Sequence, residues 1–207
     1  MMQIPEVIFW DFDGVILNSM PIRDKGFLHI FKDYPKDLVE QLLAFHHQNG
    51  GLSRYVKIRY FYEELLKKNI IEDEVIKLAE KFSEVMRKEL INPDLLIQDS
   101  LNFIQKYHKI SKFHIVSGSD QNELRFLCKE LGIDMYFLSI NGSPTPKKQW
   151  VETILKEKNY PLSDCVLIGD SMNDYEAAVQ NGIAFWGYNN EKLRNLGSFY
   201  LESMESL

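Results

Sequence analysis

The order of apolar and polar residues along the chain predicts a mixed protein of strands and helices. Four consecutive apolar residues, Val7–Trp10, predict a short buried strand near the start of the chain. The other short apolar runs come in the second half and alternate with helical patterns; they are residues 113–116, 137–140, 166–168 and 183–186. Strands that alternate with helices predict an α/β fold whose parallel sheet is covered by helices on both faces.

Between the first strand and the others, the sequence predicts only helices. Residues 22–31 and 38–43 favour two of them, and Ser53 is a suitable N-cap for a third that carries apolar residues up to position 66. The clearest amphipathic pattern covers residues 75–86, where apolar residues recur at intervals of three and four. This stretch is therefore expected to be all-helical.

The position of these helices in the chain predicts a division into two domains. We expect an α/β core made of residues 1–17 and 92–207, and an inserted helical cap domain made of residues 18–91. Ligands of open α/β sheets bind at the carboxyl ends of the strands. An insertion that follows directly after the first strand is placed to cover that end, so functional residues are expected beneath it.

Two details of a helix in the second half are also predicted. Asp120 and Glu123 have the spacing of a capping box, in which each of the two side chains binds the backbone N–H of the other residue. Gly132 is expected to end this helix. The last ten residues show no clear pattern, so no element is predicted there.

Composition and charge exclude several classes of protein. The 207 residues are 45% hydrophobic, enough for a sizeable core, and a net charge of -6 disfavours binding to nucleic acids or membrane surfaces. No apolar run is as long as a membrane span, and the first six residues lack the pattern of a signal peptide. Cys128 and Cys165 have no metal-ligand spacing and are expected to be reduced core thiols. We expect a soluble cytoplasmic protein.

Candidate chemistry begins directly after the first predicted strand, with Asp11 and Asp13. Side chains along an extended chain alternate between two faces, so these two carboxylates are expected to point the same way. Two like charges this close need a cation between them or a proton on one of them. Gly14 permits a sharp turn after the pair. The alternative is an ordinary polar turn with a helix cap.

The ends of the other predicted strands also carry polar groups. Ser117 follows the second strand, Lys147 or its neighbour Lys148 follows the third, and Asp170 with Asp174 follows the fourth. Each alone has an ordinary explanation as a turn residue, a solvated lysine or a helix cap. Because the carboxyl ends of parallel strands meet at one edge of a sheet, the full set in this order predicts one shared site.

Together these residues resemble the four motifs of the haloacid dehalogenase-like hydrolase superfamily. The helical insertion resembles the cap of its branch with phosphoglycolate phosphatase and β-phosphoglucomutase. The resemblance covers nearly the whole chain, in order and in spacing, and implies a Rossmann-like three-layer core. The residues that carry it are Asp11, Asp13, Ser117, Lys147, Asp170 and Asp174.

The resemblance implies a role for each residue in the transfer of a phosphoryl group. Asp11 is the expected nucleophile, which forms an aspartyl-phosphate, and Asp13 is the expected general acid and then base. The hydroxyl of Ser117 and the backbone N–H of Gly118 are expected to bind the phosphoryl oxygens. Lys147 is expected to offset the charge between nucleophile and phosphate.

The same resemblance implies Mg²⁺ as cofactor. Its expected ligands are the carboxylates of Asp11 and Asp170 and the backbone carbonyl of Asp13. Asp174 is expected to orient the site lysine or a metal-bound water. Because both acids of the first motif are present together with Asp170, metal-dependent phosphoryl transfer is favoured over the dehalogenase and phosphonatase chemistry of other members.

The expected activity is hydrolysis of a phosphate monoester on a small metabolite, because a cap restricts access to the site. A sugar phosphomutase of the β-phosphoglucomutase type has the same residues and is the alternative. A phospho-receiver domain or a non-hydrolytic phosphate-binding module is an alternative of a different class. The presence of Asp11 and Asp13 disfavours the binding module, and the helical insertion disfavours the receiver. The sequence leaves the oligomeric state open.

Substrate contacts are expected from three basic residues. Arg54 and Lys57 are three positions apart, on one face of a predicted helix, and Arg23 follows the first motif. All three are candidates for binding a carboxylate, phosphate or hydroxyl group of the substrate. The alternative, which is favoured for Lys57, is a solvent-facing charge on an amphipathic helix.

Overall fold

The computed structural model describes residues 4–207, and its centre is a parallel sheet of six strands in the order β3-β2-β1-β4-β5-β6. The predicted α/β class with a Rossmann-like parallel sheet is confirmed. The predicted core begins at residue 1, but residues 1–3 lie outside the described part. The strands are β1 Val7–Trp10, β2 Lys112–Asp120, β3 Ser139–Ser143, β4 Cys165–Gly169, β5 Ala184–Tyr188 and β6 Phe199–Leu201.

Several strands differ from the sequence prediction. Strand β2 continues to Asp120 rather than ending at residue 116, so Ser117 and Gly118 lie within it instead of after it. Strand β3 begins at Ser139 rather than at residue 137, because Phe137 closes a 3-10 turn by donating its N–H to the carbonyl of Asp134. Strand β6, Phe199–Leu201, lies in the terminal stretch for which no element was predicted. It is three residues long and pairs with β5 at the edge of the sheet, so its strand structure depends on a partner rather than on a local pattern.

Between β1 and β2 the described chain forms helices and loops, as the apolar pattern predicts. The third helix is shorter than predicted, because a wider turn over Phe61–Leu65, where the N–H of Leu66 bonds to the carbonyl of Phe61, follows it. The division into core and cap domains stays a prediction. The helices within residues 18–91 are α1 Met20–Ile30, α2 Lys36–Gln48, α3 Arg54–Tyr60 and α4 Glu72–Glu89.

Four more helices connect the strands of the sheet. None of the helices in residues 4–207 is long and apolar enough to cross a membrane. Gly132, with φ of 67°, follows the helix after β2, where the sequence predicts its end. The four are α5 Gln98–Tyr107, α6 Gln121–Glu130, α7 Lys147–Lys158 and α8 Met172–Gln180.

Strand β1 lies at the centre of the molecule and is buried on both faces. Ile8 and Trp10 belong to an apolar cluster that continues into helices α1–α4, whereas Val7 and Phe9 belong to a second cluster with α7 and α8. This division follows from the alternation of side chains along a strand. Because β1 is held between β2 and β4, the residue that follows it, Asp11, has a fixed position at the carboxyl end of the sheet.

Candidate active site

The loops at the carboxyl end of the sheet bring the candidate acids and lysine together. The backbone N–H of Asp11 donates to the carbonyl of Ile168 in β4, which continues the sheet pairing by one residue. Lys147, the first residue of α7, lies with Nζ 2.9 Å from Oδ1 of Asp11 and also donates to Oδ1 of Asp174. Both acids and the lysine are buried. The structure thus joins residues that follow β1, β3 and β4.

Burial and ion pairing act in opposite directions on this group of charges. Burial, followed by the nearby carboxylate of Asp174, raises the pKa of Asp11 well above its usual value. Burial would lower the pKa of Lys147, but the carboxylates of Asp11 and Asp174 outweigh it and raise that pKa. Lys147 is therefore a permanent cation beside Asp11. Its neighbour Lys148 is exposed to solvent, so the structure distinguishes the two candidate lysines.

Three carboxylates of this site could hold a metal ion. Asp11, Asp170 and Asp174 each offer an oxygen, and these oxygens lie within 4.8 Å of one another. Burial, followed by the charge of Asp174, raises the pKa of Asp170 to about 7. Such a set of mutually repelling carboxylates fits a divalent cation that prefers oxygen ligands.

The side chain of Asp174 is already engaged by the protein. One of its oxygens accepts from Lys147, and the other accepts from the backbone N–H and the hydroxyl of Ser171, at 3.1 and 2.5 Å. Asp11 and Asp170 are consequently the carboxylates best placed for a metal, with Asp174 beside them as the residue that orients Lys147. The carboxylate of Asp13 is outside this cluster.

Gly14 explains how the first and fourth motifs approach each other. Its φ is 77°, in the region that favours glycine. A Cβ at this position would lie 1.9 Å from Oδ2 of Asp170. Any other residue here would displace the carboxylate that is best placed, with Asp11, to hold a metal.

The carboxylate of Asp13 faces the helical insertion and is surrounded by donors. Oδ1 accepts from the hydroxyl of Ser19 at 2.5 Å and from Nε of Arg23 at 2.7 Å, and Oδ2 accepts from the hydroxyl of Ser119 at 2.5 Å. Burial alone would raise the pKa of Asp13, but the charge of Arg23 and these hydrogen bonds lower it. In this arrangement Asp13 is an ionised carboxylate.

The predicted phosphate-binding residues lie near the end of β2, where the pairing register with β3 shifts. Ser117 is buried, and its hydroxyl accepts from the backbone N–H of Ser119 at 3.1 Å. Gly118 is in close contact with the loop between α2 and α3, since a Cβ there would lie 2.4 Å from the carbonyl oxygen of Gly51. This loop of the helical insertion therefore rests directly on the candidate phosphate site.

Arg23 and Arg54 are buried in the contact between the insertion and the sheet. Arg54 binds the carboxylate of Glu123 with both terminal nitrogens, at 2.6 Å each, and donates to the hydroxyl of Ser83. Arg23 donates to Ser119 at 2.7 Å and lies 3.3 Å from Glu123. The alternative of a solvent-facing Arg54 is therefore wrong.

Lys57 is also buried, so the solvent-facing position that the sequence favours for it is wrong. Its ammonium donates to Nδ1 of His46 at 2.8 Å and to the carbonyl of Gly50 at 3.2 Å. Burial, followed by the charge of Arg23, lowers the pKa of Lys57 to about 7. Helical periodicity did not predict this burial, because the partners of Lys57 lie on another helix and its connecting loop.

The capping box predicted at the start of α6 is only half formed. The Asp120 carboxylate accepts from the N–H groups of Asn122 and Glu123 at 3.0 Å, as an N-cap should. The side chain of Glu123 does not return to the backbone of Asp120, because Arg54 and Arg23 bind it instead. A buried ion pair of higher strength has replaced the second capping hydrogen bond.

Sequence reasoning did not identify two asparagines that support the acidic loops. Nδ2 of Asn189 donates to the carbonyl of Gly14 at 2.9 Å, and Nδ2 of Asn190 donates to the carbonyl of Asp170 at 2.7 Å. Both residues follow β5. Polar residues at the ends of predicted strands indicated the other site residues, and the same criterion applies to these asparagines, which follow within four residues of the apolar run 183–186.

A family model described as haloacid dehalogenase-like hydrolase matches residues 5–182 of the chain. A phosphorylated carbohydrates phosphatase of Thermotoga maritima is 23% identical over 185 residues, which are 86% of this chain and 82% of that protein. The family resemblance predicted from the motifs is confirmed by the family-model match.

Solved structures with the same fold include one from Clostridium difficile and one from Rhodobacter sphaeroides. The β-phosphoglucomutase of Clostridium difficile has a TM-score of 0.75 and 18% identity, covering 98% of this chain and 93% of its own. CbbY of Rhodobacter sphaeroides, solved in complex with phosphate, has a TM-score of 0.73 and 15% identity, covering 97% and 95%. At these identities the likeness concerns the fold.

Proposed function

Because this chain belongs to the haloacid dehalogenase-like hydrolase family, we propose that it is a Mg²⁺-dependent phosphatase of a small phosphorylated carbohydrate. The observation that carries the proposal is Lys147, held between Asp11 and Asp174 with Asp170 beside them. A buried cation next to a buried carboxylate provides a nucleophile together with charge stabilisation for an incoming phosphate. The name of the Thermotoga maritima relative supports the carbohydrate.

Asp11 attacks the phosphorus atom through its carboxylate. The new bond joins an Asp11 oxygen to phosphorus, the bond from phosphorus to the ester oxygen breaks, and the departing alcohol takes a proton from Asp13. Water then attacks the phosphorus atom of the aspartyl-phosphate and gives a proton to Asp13, the bond between phosphorus and the Asp11 oxygen breaks, and inorganic phosphate leaves with the Asp11 carboxylate restored. Lys147 stabilises the negative charge beside Asp11 in both steps.

Asp13 must carry a proton in the first step, whereas Arg23 and two hydroxyls favour its ionised form. Substrate binding must therefore loosen the contact between Asp13 and Arg23, which lie 2.7 Å apart. The phosphoryl group of the substrate would do so if it drew the Arg23 guanidinium away from Asp13. The ionised form is the one that the second step requires, because Asp13 then accepts the proton of water.

The carboxylates of Asp11 and Asp170 would hold the magnesium ion, together with the backbone carbonyl of Asp13. When bound, the ion supplies positive charge that draws the phosphoryl oxygens and the Asp11 carboxylate together. Ser117 and the N–H of Gly118 would bind phosphoryl oxygens from the β2 side. The helical insertion, residues 18–91, would act as the cap that restricts access to this site.

A sugar phosphomutase is the second candidate. A mutase must keep water away from the aspartyl-phosphate while the sugar turns over. The close packing of Gly51 on Gly118 and the buried Arg54–Glu123 pair favour such exclusion of water. Isomerisation of sugar monophosphates without phosphate release would support this candidate.

Phosphate release from a panel of sugar and small-metabolite phosphates, with Mg²⁺ and with a chelator, tests the proposal. We expect release that needs Mg²⁺ and that falls by roughly 10⁴-fold or more in Asp11→Asn, as for loss of a nucleophile. Asp37→Asn is the matched control, because Asp37 is exposed on α2, and it should keep full activity. Unchanged release by Asp11→Asn would contradict the proposal.

A further inference from the structure

A small cavity of about 20 Å³ lies between the helical insertion and the end of β2, beside the candidate site. Its lining includes Asp13 and Ser119 from the sheet side, and three basic residues from the insertion side. The three are Arg23, Arg54 and Lys57. A substrate bound through its phosphoryl group at Asp11 would have its far end towards this cavity, because Asp13 borders both.

Two of the three basic groups are already neutralised by carboxylates of the protein. Arg54 is bound at two nitrogens by Glu123, which has 0% exposure, and Arg23 lies 2.7 Å from Asp13 and 3.3 Å from Glu123. Two guanidinium groups thus face two carboxylates. A bidentate pair of this kind fixes Arg54 in place. The charge of Arg54 is therefore neutralised by Glu123 and is not available to a ligand.

The third basic group, Lys57, has no such partner. Its hydrogen-bond acceptors are a histidine nitrogen and a backbone carbonyl, and no carboxylate of residues 4–207 forms a salt bridge with it. The residue is nevertheless only 2% exposed. A buried ammonium without a counter-charge is costly, and its pKa of about 7 reflects that cost. Lys57 is therefore the one of these three basic groups that no carboxylate of the described residues pairs with.

We propose that Lys57 binds a second anionic group of the substrate, a carboxylate or phosphate distant from the ester that is hydrolysed. That anionic group of the substrate supplies the counter-charge that no carboxylate of the described residues supplies to Lys57. The inference rests on the proposed function, since it concerns the far end of the same substrate. It assigns the choice of substrate to Lys57 instead of Arg54, because Glu123 occupies Arg54.

Matched pairs of phosphate esters test this assignment. Gluconate 6-phosphate and sorbitol 6-phosphate differ only in a carboxylate against a hydroxymethyl group, and phosphoglycolate and 2-hydroxyethyl phosphate form a shorter pair with the same difference. Sorbitol 1,6-bisphosphate places a phosphate at the far end. We expect wild-type kcat/KM to be about tenfold or more higher for an anionic member than for its neutral partner, the order of effect of one charge contact.

The Lys57→Met variant should lose this preference through KM. We expect KM for the preferred anionic ester to rise about tenfold, with kcat and the constants for the neutral partner little changed. Lys57→Arg keeps a positive charge and should retain the preference, which separates loss of charge from loss of fold. Lys77→Met is the control, because Lys77 is exposed on α4.

The outcomes separate this inference from the proposed function. Phosphate release without any preference for anionic members, or a preference that persists in Lys57→Met, would overturn the role of Lys57 and leave the phosphatase standing. An equal loss of kcat/KM on both members of a pair in Lys57→Met would also overturn it, since Lys57 would then act on the phosphoryl group that both esters share. Release from no ester, with Mg²⁺ present, would instead overturn the proposed function.

Discussion

Lys147 and Lys148 are adjacent in the chain but lie in opposite environments. Lys147 is 3% exposed and contacts two carboxylates, whereas Lys148 is exposed to solvent. Successive residues on a helix point about 100° apart, so only one of two neighbours at the start of α7 can face the sheet. Pro146 is the N-cap of α7, and Lys147, its first residue, is the one that faces the carboxylates.

Replacing each lysine by methionine should therefore have very different effects. In Lys147→Met we expect phosphate release to fall by about 10²–10³-fold, because the positive charge beside Asp11 is lost. Loss of one partner from the buried charge cluster should also lower the free energy of unfolding by about 3–5 kcal/mol. Lys148→Met should change neither quantity. Steady-state kinetics and urea unfolding measure both, and an active Lys147→Met enzyme would contradict the role of this residue.

Asn190 acts on the acidic loop through a single hydrogen bond. Its side-chain amide donates to the carbonyl of Asp170 at 2.7 Å, so it holds the residue whose carboxylate is a candidate metal ligand. Supporting contacts of this kind typically contribute about 10–100-fold to metal affinity. The side-chain amide of Asn189 likewise donates a hydrogen bond to the carbonyl of Gly14.

The Asn190→Ala variant should bind a divalent ion about tenfold more weakly than the wild type. Mn²⁺ binding followed by electron paramagnetic resonance measures this without relying on turnover. Asn102→Ala, on the exposed side of α5, is the matched control and should bind Mn²⁺ as the wild type does. Equal affinities of Asn190→Ala and Asn102→Ala would show that the hydrogen bond does not support the metal site.

Among the elements of the insertion, the loop between α2 and α3 packs closely against the end of β2 and the start of α8. A Cβ on Gly51 would lie 2.5 Å from the hydroxyl oxygen of Ser171 and 2.7 Å from Cβ of Asn173. On its other side, the carbonyl of Gly51 touches Gly118. The loop is thus held between the end of β2 and the start of α8, and glycine is required at position 51 by space.

Substitution of Gly51 tests whether activity requires the loop to lie directly against α8. Gly51→Ala should push the loop away from α8 and lower kcat/KM by about tenfold or more, because small displacements of a site have large effects on rate. Gly50→Ala is the matched control, since a Cβ there meets no atom within 4 Å. Equal kcat/KM of both variants would show that the reaction does not depend on the close contact between this loop and α8.

At the scale of the whole molecule, the stability of the fold should depend on pH through a buried histidine in the sheet. His114 in β2 donates to or accepts from Ser139 and Tyr160 and stacks on Phe9. Burial, followed by the charge of Lys158, lowers the pKa of His114 to about 4. The folded state therefore favours the neutral imidazole.

Acidification should destabilise the protein through this residue. The unfolded chain binds a proton at His114 near pH 6.5, whereas the folded chain does so only near pH 4, so the stabilisation is complete above pH 6.5 and is lost as pH falls between these values. Between pH 7 and 5 the loss is about 2 kcal/mol for one such group. The free energy of unfolding, measured with urea, should therefore depend less on pH in His114→Gln than in the wild type. It should keep the wild-type pH dependence in His29→Gln, because His29 is exposed. An unchanged pH effect in His114→Gln would contradict this assignment.

The fold class and the positions of the candidate acids could be predicted from the amino-acid sequence. Both follow from local regularities: short apolar runs predict strands, and acids directly after parallel strands lie at one edge of the sheet. Asp11, Asp170 and Lys147 could therefore be expected near each other before any coordinates. Strand β6 could not, because three residues at an edge have no pattern of their own.

The tertiary structure alone decided where the basic residues of the insertion point and what binds them. Arg54 and Glu123 are 69 positions apart, and each has an ordinary local explanation, as a solvent-facing charge and as a capping residue. Their ion pair exists because packing buries both at the same contact, where an unpaired charge would be costly. The same packing buries Lys57 without a carboxylate. Local pattern determines elements and their ends, whereas the pairing of buried charges depends on which distant surfaces the fold brings together.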